Sequence, residues 1–199
     1  LGAKPANPDE AAPAAERIVR DANRATDLIK RLRALTKRGP GKAVWLDVNQ
    51  IIADTLTLVR SEVARNHVSL AIDLADELPP VQVDPVQIQQ VILNLVVNAI
   101  EAVSAQPAPS RAVEISTSVV PAGQVIVTVS DSGGGLGSAE QDRLFDAFYT
   151  TKPDGMGMGL AISRSIVESH GGRIWAGAAG GRGAAFSFSL PAGKAAIHE

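Results

Sequence analysis

Cysteine is absent from the 199 residues, which excludes disulfides, thiolate metal sites and a cysteine nucleophile and is compatible with a reducing compartment. Aromatic residues are scarce at 4%: Trp45, Trp175, Tyr149, Phe145, Phe148, Phe186 and Phe188 are the whole set. A stacking surface for single-stranded nucleic acid spends more of them on its binding face. A net charge of −2 gives no electrostatic case for nucleic acid or an anionic membrane. No apolar run is expected to cross a bilayer, and there is no recognisable signal peptide. The chain begins at Leu1 rather than Met, and is expected to be a cytoplasmic fragment without direct membrane contact. What is present is material for a core: 45% of the residues are hydrophobic and 20% charged, the balance of a folded chain.

Residues 1–13, rich in Pro, Ala and Asn, predict an irregular start. Over 14–38, Ile18, Ala22, Ala25, Ile29 and Leu32 recur at alternating spacings of four and three, the seam of a bundle helix. The surrounding stretch 16–42 holds nine Lys/Arg against three Asp/Glu. Gly39-Pro40-Gly41 then breaks the helix and marks a domain boundary. Asp47 is placed to cap a second helix running to about Asn66. An alternating segment over 68–74 predicts a strand, as does Val81-Gln82-Val83. Asp84 and Pro85 begin a third, strongly apolar helix. Residues 113–120 and 124–130 read as a hairpin, 138–157 as a long connection with one short helix, 159–169 as a helix, and 173–178 with 184–190 as a final hairpin. This order predicts an α+β fold, a mixed and mostly antiparallel sheet covered on one face by helices.

Chemistry enters at four places. Asn94 and Asn98 lie four apart on an otherwise apolar helix and therefore share a face. They either satisfy loops and backbone, or offer an amide oxygen to a hard cation such as Mg²⁺. Asp131 ends an apolar strand and precedes Ser132-Gly133-Gly134-Gly135-Leu136-Gly137. This is either a simple strand-end turn, or a carboxylate acceptor for an exocyclic amino group with glycines that let a flat base approach. Gly155-Met156-Gly157-Met158-Gly159-Leu160 leads into a helix, so it is either a flexible loop or an anion cradle. It matches neither the dinucleotide fingerprint nor the Gly-Lys-Ser/Thr phosphate loop. Lys152, with Arg143 a weaker candidate, is either solvated or a point charge for a terminal phosphate. Phe145 and Phe148 are either an amphipathic stripe or residues that pin the long loop onto the core when ligand is bound.

In this order the segments resemble the catalytic ATP-binding domain of sensor histidine kinases, the two-layer α/β sandwich (Bergerat-type fold) shared with gyrase-type ATPases and heat-shock chaperones. Gln90-Val91-Ile92-Leu93-Asn94-Leu95-Val96-Val97-Asn98-Ala99 resembles the N box, and Asp131-Ser132-Gly133-Gly134-Gly135 the first glycine box. Leu144-Phe145-Asp146-Ala147-Phe148-Tyr149-Thr150-Thr151-Lys152 resembles the F box. Gly155 to Leu160 is similar to the second glycine box, and Gly183-Ala184-Ala185-Phe186 to the third. His170-Gly171-Gly172 fits the usual helix end. The F-box run and Gly-Met-Gly-Met-Gly-Leu are most similar to the oxygen-sensing and nitrogen-regulatory branch.

The resemblance implies ATP and Mg²⁺ as ligands. Asn98 is expected to hold Mg²⁺, Asn94 to support the phosphates or the water around the metal, and Asp131 to read the adenine amino group. Asn94, Asn98 and Lys152 become the expected catalytic residues. The expected ATP contacts add Ala102, Gly133, Gly135, Leu136, Gly155, Met156, Gly157, Met158, Gly159, Leu160 and Ala185. The resemblance further implies a division into residues 1–42, a partial dimerisation helix, and 43–199, the ATP-binding domain. A homodimer through the bundle helices and a response regulator receiver domain are the implied partners. The acceptor histidine is expected upstream of Leu1, since His67, His170 and His198 lack the acidic residue that follows an acceptor.

Three positions depart from the family pattern. Many relatives carry Lys or Arg three residues after the metal-binding Asn and an aromatic residue next, where Glu101 and Ala102 stand here. A Thr often precedes the last-strand Phe, and Ala185 is taken as its counterpart. The ATPase relatives have a Glu base where Asn94 stands. An amide is a poor base, which favours phosphoryl transfer to a protein over the alternatives of an ATP-hydrolysing or a non-catalytic nucleotide-binding dimerisation module.

Overall fold

The computed structural model describes residues 43–107, 110–121, 123–137, 143–152, 155–180 and 183–193, all within one unit, Gly39–Glu199. The helix expected over 14–38, its seam, the break at Pro40 and His198 lie outside the described residues. Two helices start where an aspartate caps them. The Asp47 carboxylate accepts the Asn49 N–H at 2.9 Å and begins α1 (Val48–Arg65). Asp84 accepts the N–H groups of Val86 and Gln87 at 2.9 and 3.3 Å and, with Pro85 in the first turn, begins α2 (Pro85–Ser104). Each such cap contributes about 1 kcal/mol. α1 buries Val48, Ile51, Ile52, Thr55 and Val59, and α2 buries Ile88, Val91, Ile92, Leu95, Val96, Ala99, Ile100 and Val103. Both sets recur at three and four residues, so each helix turns one stripe inward. α3 (Gly159–Ser169) buries Ile162, Ser163, Ile166 and Val167 and has no side-chain cap at its start.

The main sheet has the order β2 (Ser69–Asp73), β4 (Ala112–Val120), β5 (Gln124–Asp131), β7 (Ala184–Pro191) and β6 (Arg173–Ala178). β2 runs parallel to β4 and every other pairing is antiparallel. α2 lies against β4 and β5, and α3 against β6 and β7. The face that meets the helices is written in the alternation of β5: Val125, Val127, Val129 and Asp131 are buried, while the residues between them are half-buried. Leu190, Phe188 and Phe186 on β7 stand opposite those three valines. Burying each such side chain contributes about 1.5–3 kcal/mol.

The expected elements form within a residue or two, with four differences. β1 (Val44–Leu46), ahead of the Asp47 cap and outside the expected elements, pairs with β3 (Val81–Val83) in a separate two-stranded sheet. The strand expected over 68–74 is shorter, because the Val68 N–H still bonds to Val63 O at the helix end and His67 turns the chain at φ 52°. No helix forms among the described residues of the long connection, which is built of turns. Finally, α2 is by length and composition apolar enough to span a bilayer, with mean hydropathy 1.4, where no such run was expected. In this fold its apolar stripe is buried against sheet and helices.

Candidate functional site

α2 turns its second face toward the glycine loops. Asn94, Asn98 and Ala102 are half-buried and four residues apart, so they form one stripe spanning roughly 12 Å of helix. At its far end is Asp131. The alternation that buries three valines of β5 carries the Asp131 carboxylate to the helix side, where it is 5% exposed. Its Oδ1 accepts the Gly133 N–H at 2.8 Å and the Ala184 N–H at 3.4 Å, leaving Oδ2 as the acceptor for a further donor. Burial pushes this carboxyl above the ordinary value of 3.8, against the lowering effect of the two N–H bonds and of the Lys152 charge. Gly133 has no room for a side chain: a Cβ there would stand 2.8 Å from Asp131 Oδ1 and 3.1 Å from Ala102 Cβ. Asp131, Gly133 and Ala102 therefore meet. Gly135, at φ 80°, is exposed beside the Gly183 backbone, and Leu136 is half-buried.

In the middle of the stripe, Asn98 Oδ1 accepts from Lys152 Nζ at 3.4 Å, and the same ammonium is paired with Glu101. At the near end, Asn94 Nδ2 donates to Ser163 Oγ at 3.1 Å. Asn94 Oδ1 lies so close to Gly159 that a Cβ at 159 would collide with it. Asn94 thus joins α2 to the first turn of α3, whose opening N–H groups have no side-chain cap, the kind of helix end that can receive an anion. The preceding loop is held by the turn before it. The Phe148 N–H donates to Gly157 O at 2.9 Å, and Gly157 (φ 64°) lies under the Phe148–Tyr149 backbone. Gly155, Met156 and Leu160 are half-buried around this loop. Met158 is 4% exposed and belongs to the core beneath the loop.

Two expected residues stand elsewhere. Ala185 pairs with Ser130, one residue away from Asp131 in the pleat, and therefore points to the opposite face of the sheet. The residue at the site is its neighbour Ala184, buried and bonded through its N–H to Asp131. Arg143 is occupied within its own turn, 4.0 Å from Asp146 and 4.8 Å from the Tyr149 ring centroid. Phe148 is 74% exposed and Phe145 half-buried, so Phe148 joins no buried stripe. Ser163, Ala184 and the Glu101–Lys152 pair were not foreseen as site features. Ser163 had a signal in its place one turn after Gly159, and Ala184 in sharing the parity of Phe186.

His170 has both ring nitrogens engaged. Nε2 accepts the Asp84 N–H at 3.1 Å, and Nδ1 faces Ile166 O at 2.8 Å. The ring accepts at Nε2, which leaves Nδ1 to donate. It ties the end of α3 to the start of α2 and has no nitrogen to spare for a phosphoryl group.

Residues 83–194, more than half of the chain, match the family described as histidine kinase-, DNA gyrase B-, and HSP90-like ATPase. The chain is 40% identical over 192 residues to the sensor histidine kinase TmoS of Ectopseudomonas mendocina, covering 96% of this chain and 20% of TmoS. It is 38% identical over 193 residues to the sensor protein FixL of Bradyrhizobium diazoefficiens, covering 96% of this chain and 37% of FixL. The chain thus spans well under half of these relatives. The solved structure of histidine kinase ThkA in complex with response regulator protein TrrA has the same fold, with a TM-score of 0.78 at 24% identity over 94% of this chain and 53% of that one. From motif order, sheet topology and these likenesses together, the chain belongs to the histidine kinase-, DNA gyrase B- and HSP90-like ATPase family, as an ATP-binding domain of the sensor histidine kinase kind.

Proposed function

We propose that this domain binds ATP along the Asn94–Asn98–Ala102 stripe of α2, with adenine at Asp131 and the phosphates at Gly155–Gly159, and passes the γ-phosphoryl group to a histidine of a dimerisation helix. The observation that carries this reading is the stripe itself: one helix face joins a buried carboxylate acceptor to an uncapped helix start. In this reading Asp131 Oδ2 accepts from the adenine amino group, and Gly133 and Ala102 form the wall the ring slides against. Backbone N–H groups of the loop and of α3 receive phosphate oxygens. Lys152 meets the terminal phosphate as a point charge.

The donor set suits Mg²⁺. Asn98 Oδ1 is a hard amide oxygen, and no group of three or more His, Cys, Asp or Glu forms a cage among the described residues. That fits a cation that takes few protein oxygens and completes its shell with phosphate and water. When bound, Mg²⁺ would neutralise charge on the phosphate oxygens. Asn94, an amide engaged with Ser163, cannot serve as a general base for water, which favours transfer over hydrolysis. The chain spans only part of its relatives' length. We therefore propose, on their names and on the ThkA–TrrA complex, that the whole protein is a cytoplasm-facing kinase, dimeric through a helical segment formed in part by residues 1–42, that serves a response regulator receiver.

Calorimetric titration with adenylyl imidodiphosphate and Mg²⁺ tests the site. Asp131→Asn and Asn98→Ala are each expected to weaken binding by about tenfold or more, the worth of a charge-assisted hydrogen bond or a metal contact. Unchanged affinity in both variants would remove the assignment.

A further inference from the structure

Glu101 is the wrong charge for a phosphate contact, yet it is the residue that meets Lys152. It stands three positions after Asn98 on α2, so both side chains project from one side of the helix. Lys152 reaches them across 51 and 54 residues of chain, pairing with the Glu101 carboxylate and standing 3.4 Å from Asn98 Oδ1. Among the described residues, these two bonds are the only hydrogen bonds that tie segment 143–152 to α2. The segment's others are internal or run to Gly155 and Gly157. One ammonium group therefore docks the F-box turn onto the helix that lines the site.

We propose that Glu101 is a positioning residue for Lys152: it holds the ammonium beside Asn98 and yields it to the terminal phosphate when Mg²⁺ takes the Asn98 oxygen. This rests on the assignment of ATP and Mg²⁺ to the site. Mg²⁺ needs its ligand oxygens at about 2.0–2.1 Å, and an ammonium group turned to the same oxygen is repelled by it. Lys152 and the cation therefore use Asn98 Oδ1 in turn, and Glu101 supplies the place where Lys152 stands meanwhile. Both partners are about half exposed, at 44% and 52%, so the pair is weak and easily exchanged. The charge reversal at this position, relative to the basic residue many family members carry, thus preserves a cation at the mouth of the site but supplies it from the loop.

The test is a double-mutant cycle in the 199-residue chain. Adenylyl imidodiphosphate with Mg²⁺ is titrated into the wild type, Glu101→Gln, Lys152→Gln and the double variant. Glu101→Gln is expected to bind about threefold to fivefold more tightly, because Lys152 no longer has to leave a partner. Lys152→Gln is expected to bind several-fold more weakly, and in that background the Glu101→Gln gain disappears. Amide hydrogen exchange over 143–152 in ligand-free protein rises in Glu101→Gln and falls again on adding the Mg²⁺ complex. An equal gain in both backgrounds would mean plain charge repulsion and overturn the proposal, as would no change on Glu101→Gln. Wild-type protein that does not bind the analogue would remove the ATP reading and this inference with it. Binding with an uncoupled pair would remove only the positioning role.

Discussion

Asp131 stands under two opposed demands. Burial raises its proton affinity, while the N–H groups of Gly133 and Ala184 and the Lys152 charge hold it ionised. A carboxyl whose folded value lies above its unfolded one binds protons more readily in the native state, so its contribution to stability falls as pH rises between those two values. Asp131→Asn keeps an oxygen for both N–H bonds and removes the buried charge. It is therefore expected to raise the melting temperature at neutral pH, with the advantage vanishing in acid, while adenine-nucleotide binding falls. In the wild type, affinity should weaken as pH drops toward a carboxyl value above the ordinary range, and the Asn variant should lack that limb. Thermal melts and titrations across pH check both. A variant that is less stable at neutral pH, or that keeps the acid limb, contradicts the role given to burial. The same pleat explains an error at this scale. Gly183-Ala184-Ala185-Phe186 identifies the segment, but only the parity shared with Phe186 shows that Ala184 faces the site. A one-residue slip moves a side chain to the other face of a sheet.

The helices were the most legible elements, because caps at Asp47 and Asp84 and stripes at three and four residues are local signals. β1 was not legible: its three residues pair with β3 nearly forty positions on, and nothing within the segment announces that partner. The parallel pairing of β2 with β4 is likewise a consequence of the α2 crossover rather than of either strand's pattern. The α2–α3 junction gives the sharpest test at this scale. Gly to Ala in a helix ordinarily stabilises by about 0.5–1 kcal/mol. At Gly159 the added Cβ meets the Asn94 side-chain amide, which must turn away from Ser163, so Gly159→Ala should forgo that gain, offset by about 0.5–1.5 kcal/mol of lost hydrogen bonding in denaturant melts. Gly134→Ala, where a Cβ meets nothing within 4 Å, should leave stability unchanged. A stabilised Gly159→Ala would mean that Asn94 does not hold the start of α3.

At the scale of the whole molecule, the sheet and its helix layer place Asp131 and the loop 155–159 at two ends of one helix face, though they lie more than twenty residues apart in sequence. Each motif alone had an ordinary structural alternative, and Asn94 and Arg143 follow neither reading in full: Asn94 bonds the Ser163 hydroxyl across two helices, and Arg143 pairs within its own turn. The order of the motifs was readable from the chain. The proposed polarity, base at Asp131 and phosphates at Gly155–Gly159, was implied by the resemblance; the fold adds that both ends meet one face of α2. That polarity is most directly tested by following backbone amide signals of the ¹⁵N-labelled chain during separate titrations with adenosine, ADP and adenylyl imidodiphosphate, each with Mg²⁺. The Gly133 and Ala184 signals are expected to shift with all three, while those of Gly157 and Gly159 shift only with the two phosphorylated ligands. Signals at Gly133 and Ala184 that stay still while the nucleotides bind would contradict it.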